Sequence, residues 1–233
     1  MKTTTNKDKI VRCLLHTPSK LYVRENTEGE EPSRIISGYA VLFNVPSEPL
    51  WTDDDMDARE VIAPEALPKS FLDSQDIKMN MFHDRQLLLA RSINGSGTLK
   101  YTVDEKGVAF EFGAPKTVDG DKALELVRRG DIQGCSFAFS TRYYDSDFVE
   151  RQSNIDENSV NHIQYRVKAI TKVYDFTLAL DPYYPDTEVE TRELIDALKS
   201  IEKGPSIEQA KNKREKALEQ LRDMRHVAQC PII

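Results

Sequence analysis

The stretch GDIQGCSFAFSTRYY, residues 130–144, sets a glycine, a cysteine and a serine ahead of two phenylalanines in a run that reads as a strand. Either small residue can be a nucleophile, or both can be strand filler. Successive side chains of a strand point to opposite faces. Cys135, Phe137 and Phe139 therefore share one face, and Ser136, Ala138 and Ser140 share the other. The first set reads as a core stripe, which makes Cys135 a small buried hydrophobe. Ser136 points the other way.

Before this strand, DGDKALELVRRG reads as a helix with Asp119 or Asp121 as its cap, an apolar face at Ala123, Leu124 and Val127, and Gly130 as its stop. Further out the chain alternates like a β protein. RIISGYAVLFN (34–44) and IKMNMF (77–82) are β-rich; LLLARSI, the turn NGSG and TLKYTV read as a hairpin; DEKG turns into VAFEFGA. PEALPKSFLDS reads as a short helix with Pro64 at its first position and Pro68 as a possible break. After the key strand, ERQSNIDENSVN reads as a polar loop and HIQYRVKAITKVYDFTLAL as one long return strand. The prolines of DPYYPD end the sheet region.

Composition narrows the classes. The 233 residues are 39% hydrophobic and 30% charged, with a net charge of −7. That balance gives a soluble chain with a core, and it favours neither nucleic acid nor an anionic membrane as the main partner. The three cysteines, Cys13, Cys135 and Cys230, form no CxxC, so neither a disulfide framework nor a zinc site is expected, and a reducing compartment fits. The N-terminal MKTTTNKDKIVRC lacks the apolar core of a signal peptide, and no run reaches the length of a membrane span. From residue 188 the chain turns helical and charged, with Leu194, Ile195, Leu198 and Ile201 at helical spacing and Gly204-Pro205 between two helical stretches. The expected organisation is a β-rich domain over 1–187 and a helical charged tail over 188–233.

Three segments carry candidate chemistry: MFHDR, GCSFAFS and KVYDFTLAL. A serine nucleophile needs a base to take its proton, and the base needs a third group to fix its tautomer. His83, Ser136 and Asp175 supply these residue types. With the polar loop between Phe148 and His162 as a hairpin turn, antiparallel partners sum to roughly 310. Ser136 then falls opposite about residue 174, beside Asp175, while His162 lies about twelve residues, or roughly 40 Å, from Ser136. The register thus prefers Asp175 over His162 as the third member. Each residue also has a plainer role: Ser136 as inert strand filler, His83-Asp84 as a surface pair or turn, Asp175 as an edge residue or lysine partner, Arg85 and Arg91 as solvated or bridging cations.

The ordered set SGYAVLFN, REVIAPEAL, MFHDR, LLLARS, GVAFEF, ALELVRRGDIQGCSFAF and VYDFTLALDPYYPDTEV resembles the tailed-phage prohead (head-maturation) serine proteases over roughly residues 34–190. In that family the His of an HD pair and the Ser of a G-x-SF-x-F strand are catalytic, which implies His83 and Ser136. The family's following strand, of the form EVSLVTxPAYP, places Asp175 where an acidic residue stands. The resemblance implies an α+β fold, mainly β with helices: an antiparallel barrel of the herpesvirus-protease type with a helical C-terminal tail. Assemblins of herpesviruses use a second His, a place only His162 can imitate here. The implied function is a serine endopeptidase of procapsid maturation. Its partners would be the scaffold protein and the major capsid protein, it would form a homo-oligomer, and it would cut itself as well. It would work in the host cytoplasm, inside the assembling procapsid. No cofactor or metal is implied. The oxyanion donors are sought among the backbone N–H groups near 134–142, or at Arg142. The rival expectations are a catalytically silent assembly factor of the same fold and an unrelated β-barrel binding module.

Overall fold

The computed structural model describes residues 9–17, 20–24, 32–179 and 189–202. The chain begins with β1 (Val11–Thr17), β2 (Tyr22–Val23), β3 (Ile35–Leu42), β4 (Trp51–Thr52) and β5 (Met56–Ile62). A 3-10 turn at Pro64–Ala66 and the one-turn helix α1 (Lys69–Leu72) follow. Next come β6 (Asp76–Met81), β7 (Asp84–Ile93), β8 (Ser96–Gly97), β9 (Leu99–Val103), β10 (Gly107–Gly113) and α2 (Val118–Arg129). β11 (Gly134–Thr141), β12 (Val149–Ile155), β13 (Asn161–Val167), β14 (Lys172–Ala179) and α3 (Val189–Glu202) complete the series. The fold is mainly β with a few helices, as the sequence leads one to expect.

The strands of the described residues form three sheets. One has six strands in the order β1-β11-β14-β6-β7-β8; two have four, β2-β3-β10-β9 and β12-β13-β5-β4. This corrects the expected antiparallel barrel. Among the described residues no sheet closes on itself, and both β13–β5 and β14–β6 pair in parallel. Alternation tells which face a side chain takes but not the direction of the neighbouring strand. Parallel pairs need long crossovers, and the long stretches from β5 to β13 and from β6 to β14 provide them.

β11 lies inside the six-stranded sheet between β1 and β14, and every position from Gly134 to Thr141 is buried. The strand is therefore covered on both faces, where alternation alone suggested one. Phe137 stacks on Phe139 with ring centroids 4.9 Å apart and meets Phe176 of β14 at 5.9 Å. Each such ring, removed from water, contributes about 1.5–3 kcal/mol.

Turn chemistry fixes several ends. Asn94 and Gly95 both take positive φ (49° and 73°), as a two-residue hairpin turn requires. That turn leads only into the short β8; β9 leaves to pair with β10 across the DEKG turn, so the expected β7–β9 hairpin is divided between two sheets. Pro68 caps α1 and separates it from the turn at Pro64, which breaks the expected single helix. α2 is capped by Thr117, whose hydroxyl accepts from Gly120 N–H, not by Asp119 or Asp121; those two aspartates sit in the first turn, where the helix dipole favours them. Gly130 stops the helix in the left-handed conformation, φ 77°.

The expected polar loop after β11 is largely strand β12, and the expected long return strand is two strands, β13 and β14, in different sheets. Buried residues at 163, 165 and 167 follow the strand period, and the next, Ile170 and Val173, break it. In α3, Leu194, Ile195 and Leu198 are buried and Ile201 is exposed. Gly204-Pro205 and the second helical stretch of the tail lie outside the described residues. No described helix is long and apolar enough to cross a membrane.

Candidate active site

β6 and β7 are joined by a two-residue turn, Phe82-His83, closed by the Met81–Asp84 pair. Both turn residues are left-handed, with φ of 57° and 54°. A residue with a Cβ pays about 1–2 kcal/mol for that conformation. Bonds to β14 hold the turn: Phe82 N–H donates to the Leu178 carbonyl at 3.1 Å, and His83 N–H donates to Thr177 Oγ1 at 3.3 Å. The turn thereby aims the imidazole at the junction of β11 and β14.

There the three candidate residues meet. His83 Nδ1 lies 2.7 Å from Asp175 Oδ1, and His83 Nε2 lies 2.8 Å from Ser136 Oγ. An ionised carboxylate only accepts, so the imidazole proton belongs on Nδ1 and Nε2 is left to accept the Ser136 hydroxyl proton. Ser136 and Asp175 are 6% and 4% exposed, and the His83 side chain 16%, so the imidazole is the most solvent-facing of the three.

The register differs from the expected one by a few residues. Ser136 pairs with Thr177, and Asp175 pairs with Ala138 beside a bulge. Opposed residues of an antiparallel pair share a face, so Ser136, Thr177, Ala138 and Asp175 all project to one side. Asp175 sits diagonally from Ser136, and the imidazole spans the gap.

Cys135 lies on the opposite face, fully buried. Burial pushes its thiol well above the ordinary range, and the Asp175 charge adds to that shift, so the protonated thiol is favoured near neutrality. His162 is on β13, in another sheet, where its ring is 3.2 Å from Asp156 Oδ2 and 3.5 Å from Asp57 Oδ2. Arg91 bridges to Asp76, and Arg85 is exposed. Among the described residues no cluster of three or more His, Cys, Asp or Glu is placed to hold a metal.

β11 is laddered on both sides, to β1 and to β14, and its register against β14 shifts between Ala138 and Phe139. Arg142 is six residues from Ser136, roughly 20 Å of strand, and its guanidinium stacks over the Phe148 ring. Two residues beside the triad escaped the sequence reading. Thr177 touches both Asp175 and the His83 backbone, and Asn80 touches Thr177. Thr177 had a signal: it stands two places after Asp175 and so shares its face. Asn80 had none.

The family described as caudovirus prohead serine protease matches residues 19–201. Among solved structures, the bacteriophage T4 capsid assembly protease gp21 is similar at 11% identity, over 72% of this chain and 98% of that one, with a TM-score of 0.37. No curated protein matches.

Proposed function

This chain belongs to the caudovirus prohead serine protease family, and we propose that it is an active endopeptidase of procapsid maturation whose nucleophile is Ser136. The observation that carries the reading is the hydrogen-bonded line from Asp175 through the imidazole of His83 to Ser136 Oγ. As Oγ bonds to a peptide carbonyl carbon, the carbonyl electron pair moves to oxygen and His83 Nε2 takes the hydroxyl proton. Collapse of the tetrahedral species expels the amine, which leaves with that proton. Water then attacks the acyl-enzyme by the same route and restores the serine. Asp175 holds the Nδ1 tautomer and stabilises the imidazolium.

The substrate we infer is the scaffold protein or a scaffold-like part of the major capsid protein, cut inside the assembling procapsid in the host cytoplasm; the chain itself is a further substrate. Residues 1–187 form the catalytic domain in this reading, and 188–233 a tail that contacts scaffold or capsid subunits. Co-expression with the capsid protein, followed by intact mass, tests it. The wild type should shorten the capsid or scaffold chain and Ser136→Ala should leave it whole. Full-length capsid protein with both forms would support the silent assembly factor instead.

A further inference from the structure

Thr177 and Asn80 take no part in the proton transfers above, yet they are 0% and 1% exposed, and their side chains meet directly behind the catalytic carboxylate. They face each other in the parallel β14–β6 register. Asn80 also lies in an irregular stretch of β6, with register shifts against β7 on both sides of it, three residues before His83. Bulges of this kind re-aim side chains beside active sites.

Thr177 Oγ1 is within reach of three groups: His83 N–H at 3.3 Å, Asp175 Oδ1 at 3.3 Å, and the Asn80 side-chain amide. A hydroxyl has one proton to give and two lone pairs to accept with. It cannot donate to Asp175 and to an Asn80 oxygen at once. Donation to the charged, 4% exposed carboxylate is the stronger bond. With the proton so committed, the Asn80 amide must present nitrogen to Thr177. The Asn80 Nδ2 group otherwise stands buried without a partner, and exchange of amide O and N is the ordinary remedy.

We propose, resting on the hydrolase reading above, that Asn80 and Thr177 are positioning residues that extend the line to Asn80–Thr177–Asp175–His83–Ser136. Asn80 Nδ2–H and His83 N–H donate to Thr177 Oγ1, and Thr177 O–H donates to Asp175 Oδ1. One hydroxyl therefore fixes both the carboxylate and the left-handed turn that carries the imidazole. Thr177→Val keeps the shape and removes the hydroxyl; Thr177→Ser keeps the hydroxyl.

The test uses the full chain, with two readouts: the rate of fluorophosphonate labelling and the titration of His83 followed by NMR. Thr177→Val should label more slowly by about ten- to a hundredfold, the worth of a hydrogen bond to a charged group. Thr177→Ser should recover to within a few-fold of wild type. Loss of the Thr177 donor concentrates charge on Asp175, so the His83 midpoint should rise in the valine variant and return in the serine variant. Asn80→Leu should follow Thr177→Val in direction with a smaller change. A merely structural role would reduce the labelled amount without moving the midpoint. A wild-type labelling rate and midpoint in Thr177→Val would overturn the relay and leave the hydrolase reading standing. A shifted midpoint in a chain whose wild type never labels would do the reverse. A folded Thr177→Ser as slow as Thr177→Val would assign the residue to packing and refute the proposal.

Discussion

A serine hydroxyl is a poor nucleophile until something takes its proton, so the 2.8 Å separation of His83 Nε2 from Ser136 Oγ is the distance on which the proposed chemistry turns. Ser136→Ala should abolish processing, while Cys135→Ala, provided the core survives, should keep most of it; iodoacetamide should inhibit poorly. Asp175→Asn should cost on the order of ten-thousand-fold in turnover with the fold intact, a magnitude known from another serine protease. His162→Ala should be mild, and turnover of both variants on one substrate checks the contrast. Glu60 gives a separate prediction. It is 1% exposed, and burial pushes its carboxyl from 4.5 up to about 7. The folded state thus holds the proton to higher pH than the unfolded state. The associated stability is complete below the unfolded value and is lost as pH rises through about 7. Glu60→Gln should therefore gain on wild type between pH 5 and 8, by about 3 kcal/mol at most, read by urea denaturation at the two pH values. His83, Ser136 and Asp175 were legible as candidates because each carries chemistry that a strand core does not need. Thr177 and Asn80 were not, because a threonine in a strand and an asparagine before a turn are ordinary until the cross-strand partners are known.

At the level of elements, the turn at Phe82-His83 carries the imidazole, and helix α2 precedes the Ser136 strand in the chain. Four residues separate α2 from β11; Gly120 lies within the helix and Gly130 caps its end. Gly130 is left-handed but open, its nearest prospective neighbour being Gln133 Nε2 at 3.9 Å, so Gly130→Ala should cost only the backbone term, about 1–2 kcal/mol. A Cβ on Gly120 would overlap the Pro115 carbonyl, and rigid backbone cannot yield as a side chain does. Gly120→Ala should therefore be the more destabilising of the two by thermal melting; equal melting points would contradict this. The sequence exposed α2, β10 and β11 because caps, glycine stops and alternation coincide there. It concealed β12, whose residues are exposed at six of seven positions and carry no apolar pattern; only its ladder to β13 makes it a strand. The junction of β13 and β14 was readable in principle, in the step from Val167 to Ile170 that breaks the period of two, but a continuous run of β-formers masked it. The parallel pairings had no local signal at all, since they depend on crossovers of a hundred residues or so.

For the whole molecule, the claim is a division of labour. The six-stranded sheet holds the three candidate catalytic residues, and the chain beyond about residue 188 is proposed to serve assembly. A form ending near residue 190 should cleave added substrate at close to the full rate and be incorporated poorly into procapsids. A folded but inactive truncation would show that the tail belongs to the catalytic domain. The central claim, that Ser136 is a nucleophile activated by His83 and Asp175, is tested most directly by fluorophosphonate treatment of the full chain, with intact mass and peptide mapping of the adduct. The expected result is a single adduct on Ser136, absent from Ser136→Ala and strongly slowed in His83→Ala and Asp175→Asn. An unlabelled wild type, or an adduct on another residue that persists in Ser136→Ala, would contradict it.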